Sequence, residues 1–135
     1  MNLSITPRSE RGFSLVEMSL VIALMLALAS IVTFSVSTVT EWKAGRDGAE
    51  KLRAVYISQK SFLADQPSKS IATFTPGELI PYLPGNPGAM PSAVTKAGQA
   101  LTINVQVMPP VFRIGDTVYD PSETRSDGIW DVGAL

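Results

Sequence analysis

From Phe13 to Val36 the chain carries 24 residues with one charge, Glu17, and neither Pro nor Gly. As a helix this run spans about 36 Å at 1.5 Å per residue, enough to cross a hydrocarbon core of roughly 30 Å. It is read as a membrane-spanning segment. Arg8 and Arg11 precede it, and basic residues on that flank keep it in the cytoplasm, so the chain beyond Val36 is expected on the far side.

Glu17 does not belong in such a segment on hydropathy alone. A carboxylate in a membrane helix costs on the order of 2.5–3.5 kcal/mol on insertion scales, so it is normally paired or functional. It lies one helical turn after Phe13, at the junction of the polar leader and the apolar run. Cleavage between Gly12 and Phe13 would place a free amine four residues ahead of this carboxylate, able to neutralise it in the same or a neighbouring chain.

The residues Gly12-Phe13-Ser14-Leu15-Val16-Glu17 resemble the processing site of the type IV pilin and type II secretion pseudopilin superfamily. The resemblance covers Arg11 to about Val36 closely and the continuation of the helix loosely. It implies that a prepilin peptidase cuts after Gly12 and that Phe13 becomes N-methylated. It also implies that Glu17 pairs with the N-terminus of an adjacent subunit during filament assembly. The partners it implies are other pilin-like subunits, the peptidase and an inner-membrane assembly platform. The place it implies is the bacterial inner membrane, with the C-terminal domain in the periplasm, and then a filament.

Two other classes fit parts of the same stretch. Ala27-Leu28-Ala29 offers an A-x-A cut, which would make the chain a secreted soluble binding protein starting at Ser30. A plain single-pass anchor is the other. Both leave Glu17 unexplained, and the apolar run continues past the A-x-A cut. A structural subunit, not an enzyme, is the expectation.

Composition narrows the rest. The chain has no Cys and no His, so thiol chemistry, disulfides and the commonest general base and metal ligand are absent. A net charge of −1 gives no support for nucleic-acid binding. No nucleophile elbow, S-x-x-K helix or phosphate-cradling Gly-rich loop frames the Ser, Lys and Gly residues. The lack of Cys and the short length lean toward a pseudopilin.

The expected fold is α+β: a long N-terminal helix packed on a small antiparallel β-sheet, pilin-like. Residues 1–12 form the leader, 13–36 the membrane and filament-core helix, 37–66 its amphipathic continuation, and 67–135 a small sheet domain with loops. Leu52, Val55, Gln59, Phe62 and Leu63 recur at spacings of three and four and define the packed face. Glu50, Lys51, Arg53 and Lys60 are then expected toward solvent. Gly45 and Gly48 mark close packing or a bend, and Trp42 sits where an interfacial aromatic anchor belongs. Ile71–Phe74 reads as a short strand, and Thr75-Pro76-Gly77-Glu78 as a capping box opening a helical turn. Pro84–Pro91 is a loop. Leu101–Val107 alternates as a strand, and Val111–Ile114 and Thr117–Tyr119 flank a Gly115-Asp116 hairpin turn, giving a three-stranded meander. Ile129-Trp130 is expected to add an edge strand or plug the sheet's end.

The tail holds Asp116, Asp120, Glu123, Asp127 and Asp131 against Arg125 alone. Oxygen-rich loops of this kind bind Ca²⁺, and resemblance to the major pseudopilins implies a calcium site there. Asp120, Asp127 and Asp131 are the candidate ligands. The spacing is not that of an EF-hand loop, and a simply solvated acidic loop is the competing reading.

Overall fold

The computed structural model describes residues 12–134, and its first regular element is a helix, α1, running without interruption from Leu15 to Asp65. Leader residues Pro7, Arg8, Glu10 and Arg11 lie outside the described residues, as does Leu135. The chain divides into two compact units, Met1–Ser37 and Thr38–Leu135.

In the first unit α1 is apolar on every side and none of it is buried within the molecule. Its few hydroxyls fold back onto the helix: Ser19 donates to the Val16 carbonyl at 2.9 Å, Ser30 to Leu26 at 2.8 Å and Thr33 to Ala29 at 2.9 Å. These three hydroxyls are thereby satisfied inside the segment, as a hydrocarbon surrounding requires.

In the second unit the sequence turns amphipathic, and Leu52, Val55, Gln59 and Phe62 are buried with Leu63 partly so. Glu50, Arg53 and Lys60 face out. Lys51 is partly covered and pairs with Asp47 at 2.7 Å, one turn earlier. Helix α1 ends at Asp65, and Pro67 cannot continue it.

Ile71–Thr73 forms a 3₁₀ turn where the sequence predicts a strand. Its length of three residues and the capped helix that follows leave no neighbour for it to ladder with. Helix α2 (Pro76–Leu79) then starts as predicted. Glu78 accepts the Thr75 N–H at 3.0 Å and the Thr75 hydroxyl at 2.8 Å, and the chain tightens into a second 3₁₀ turn over Ile80–Tyr82.

The sheet has four strands, not three: β1 (Ala93–Val94), β2 (Ala100–Asn104), β3 (Val111–Ile114) and β4 (Thr117–Val118), antiparallel and in chain order. The added strand β1 pairs Ala93 with Leu101 and Val94 with Ala100. At two residues it is too short to show a period. Gly115 supplies the positive φ (+58°) at the β3–β4 turn.

Strand β2 stops at Asn104, three residues before the predicted end at Val107. The cause is tertiary. The Gln59 amide donates to the carbonyls of Val105 at 2.8 Å and Val107 at 2.9 Å, and the Asn104 side chain takes the Gln106 N–H at 3.0 Å. The helix captures the backbone that the alternation assigned to the ladder.

Two adjoining cores result. One gathers Leu52, Ala93, Leu101, Phe112, Trp130 and Val132; the other Val55, Phe62, Phe74, Leu79, Leu83 and Val105. Ile129-Trp130 forms no strand. Trp130 plugs the end of the sheet, edge-on to Phe112 at 6.0 Å and to Tyr119 at 5.1 Å. Gly45 and Gly48 are close-packing positions: a Cβ at Gly48 would stand 3.0 Å from the Trp130 ring and 3.1 Å from Phe112.

Candidate functional site

The start of α1 is built by two residues that hold each other. The Ser14 hydroxyl accepts the Glu17 N–H at 3.1 Å, and the Glu17 carboxylate accepts the Ser14 N–H at 3.0 Å. This is a reciprocal capping box, satisfying two of the amide donors that every helix start leaves open. The Ser14 carbonyl also accepts the Met18 N–H at 3.1 Å. An acid in the first turn complements the helix dipole as well.

Sequence predicts an amine partner for Glu17; the structure adds Ser14, which S-x-x-E directly before an apolar run signals, as T-x-x-E does at Thr75 and Glu78. Glu17 therefore has a backbone partner within its own first turn, one residue beyond Phe13.

Gly12 and Phe13 precede the helix and are exposed, Phe13 to 83%. A Cβ built on Gly12 would meet nothing within 4 Å, and its φ is not in the left-handed region. Among the described residues, neither packing nor backbone strain calls for glycine at position 12.

The apolar part of α1 is long and apolar enough to cross a membrane, by length and composition. A cut after Ala29 would fall inside an unbroken helix. In the second unit, Trp42 is half exposed, with the Arg46 guanidinium 5.3 Å from its ring centroid. This is the mixed apolar and cationic surface that suits an interface.

The acidic tail forms a closed turn. Asp120 accepts the Ser122 N–H at 3.2 Å and its hydroxyl at 2.7 Å, and Asp127 accepts the Ile129 N–H at 2.9 Å. Asp131 is buried, and its Oδ1 accepts the N–H groups of Gly128 (3.1 Å) and Gly133. Burial pushes the Asp131 carboxyl up against the pull of those amides, and the nearby Asp127 adds to the rise. At Asp127 burial acts the same way, but the Ile129 N–H and hydrogen bonding with Asp131 outweigh it and leave the carboxyl below its ordinary value. Among the described residues, no group of three or more acidic side chains stands close enough to hold a metal ion.

Residues 7–33 match the family model described as the prokaryotic N-terminal methylation motif. No curated protein and no solved structure matches the chain. The N-terminal segment is thus similar to the prepilin-type cleavage and methylation segment of type IV pilins and pseudopilins. It supports a pilin-like, processed subunit and points to a structural role over a catalytic one.

Proposed function

We propose that this chain is a structural subunit of a type IV pilus-like or type II secretion pseudopilus filament. It is made as a precursor in the bacterial inner membrane with its sheet domain in the periplasm. Prepilin peptidase cleaves after Gly12, and the new N-terminal Phe13 is methylated. The assembly platform then extracts the subunit, and the Phe13–Val36 helices pack side by side as the filament core.

The observation that carries this reading is the N-terminal segment matched over residues 7–33. Within it, nothing among the described residues calls for glycine at position 12, and a single carboxylate starts an otherwise apolar, unburied stretch of helix. Apolar burial between helices supplies the drive. Glu17 supplies the register, because a carboxylate that must find one amine admits one axial stagger. To reach a neighbour's amine, Glu17 has only to extend or share the bond it already makes to the Ser14 N–H.

Intact mass and N-terminal sequencing, with and without co-expressed prepilin peptidase, test the processing step. The expected product starts at Phe13 and is heavier by one methyl group; a start at Ser30, or an uncut chain under both conditions, overturns it. Glu17→Ala is expected to be cleaved yet to assemble poorly, and normal filaments from that variant would sink the register argument.

A further inference from the structure

Helix α1 begins at Leu15, two residues past the Gly12–Phe13 bond, and side chains set where it begins. Its first hydrogen bond runs from the Met18 N–H to the Ser14 carbonyl at 3.1 Å, so the Gly12 and Phe13 carbonyls lie ahead of the ladder. To draw Phe13 in, the helix would need the Glu17 N–H on the Phe13 carbonyl, the next bond toward the N-terminus. That N–H is already given to the Ser14 hydroxyl at 3.1 Å. The Ser14 N–H is in turn given to the Glu17 carboxylate at 3.0 Å.

The apolar run pushes the other way. Phe13, Leu15 and Val16 are all exposed, and beside lipid the backbone of such a run is best satisfied by more helix. Without a stop, the ladder would run back through Phe13 toward Gly12. A peptide bond inside a helix has its carbonyl engaged and is wrapped by neighbouring turns, whereas proteins that bind a peptide through its backbone take it extended. The motif matched over residues 7–33 spans this boundary, so the cap falls within the segment that a processing enzyme would handle.

We infer that Ser14 is a positioning residue for cleavage: its hydroxyl, by holding the Glu17 N–H, stops α1 short and keeps the Gly12–Phe13 bond in non-helical, reachable chain. This rests on the processing proposed above. In that step water adds across the bond, its hydroxyl going to the Gly12 carbonyl carbon and its hydrogen to the Phe13 nitrogen, so both atoms must be open to the enzyme. Glu17 supplies the other half of the capping box, yet Glu17→Ala leaves the Ser14 hydroxyl on the N–H of residue 17. The cap therefore accords with the cleavage expected of that variant. It gives Ser14 a part before the cut, distinct from the part of Glu17 after it.

The test is prepilin peptidase kinetics on the full chain in micelles, with ¹³Cα shifts of residues 12–17 recorded on the same uncut chains. Ser14→Ala is expected to lower kcat/KM about threefold and to move the Phe13 shift toward helix. That is part of the roughly fivefold by which an N-cap biases its turn, since some molecules fray instead of extending. Ser14→Thr and Ser14→Asn, which cap with different groups, are expected to restore both readouts. Cleavage of Ser14→Ala at the unaltered rate would overturn the assignment. So would slow cleavage with no change at Phe13, or rescue by Thr but not by Asn, because either would show the enzyme reading the hydroxyl itself. An unaltered chain that is not cut after Gly12 refutes the processing reading and this inference with it, whereas a cut unaltered chain with any of those three results refutes this inference alone.

Discussion

Trp130 donates its backbone N–H to the carbonyl of Gly45 at 3.0 Å, pinning the tail directly to the backbone of α1. Such an approach requires that nothing project from the helix at this face. One turn further on, Gly48 lets the Trp130 and Phe112 rings lie against the helix. The two glycines weaken α1 by about 1 kcal/mol each relative to Ala, and the packing of the domain depends on them.

Gly48→Val is therefore expected to destabilise the domain by about 2 kcal/mol, because overpacking against two rings outweighs the gain in helix propensity. Denaturant unfolding followed by Trp fluorescence reads the loss. An unchanged midpoint would show that the rings can move aside.

The capping that Glu17 performs and the charge pairing proposed for it are separable. Glu17→Gln keeps a side chain able to accept the Ser14 N–H and is expected to preserve protection of the first turn while losing assembly. Ser14→Ala is expected to remove about 1 kcal/mol from that turn, roughly a fivefold faster exchange of the Glu17 amide. Hydrogen exchange in micelles and filament yield, measured on both variants, separate the two. Normal assembly of Glu17→Gln would mean that the charge has no part in it.

Gln59 is a fully buried polar residue of α1, and its amide holds the chain at Val105 and Val107. Gln59→Leu conserves bulk but strands two carbonyls, at about 1–3 kcal/mol for each that stays buried. It also removes Gln59 Oε1, itself buried without a donor, which returns part of that cost. A net loss of about 2 kcal/mol is expected, with faster amide exchange around residues 104–107.

Glu78 is held at about 2, against an ordinary value of 4.5, first by the hydrogen bond from Lys69 and then by those from Thr75. A carboxyl lowered on folding contributes stability above its unfolded value, and that contribution is lost as pH falls from about 4.5 toward 2. NMR titration of the Glu78 side chain is expected to show its midpoint near 2. Lys69→Met is expected to move that midpoint upward, and a titration near 4.5 in the unaltered protein would refute the clip.

What could be read from sequence followed from short-range physics. Phe13–Val36 is apolar on all sides, so no tertiary partner was needed to identify it. Leu52, Val55, Gln59 and Phe62 repeat with the helix, and Thr75-x-x-Glu78 closes on itself within one turn. Glu17 stands out by local rules, as a charge in an apolar run, and Gly12 and Phe13 by their resemblance to a pilin processing site. Ser14 escaped notice although its pattern was equally local.

Tertiary structure decided what depends on residues far apart in the chain. The end of β2 was set by Gln59, some 45 positions earlier, which competes with the sheet for the Val105 and Val107 carbonyls. Strand β1 exists because Leu101 offers Ala93 a ladder, not because two residues have a preference of their own. Trp130 became a plug and not a strand because Gly45 and Gly48 leave a hollow on the helix that only a large ring fills. The burial of Asp131 is equally invisible in sequence, since it is a property of the surroundings and not of the residue.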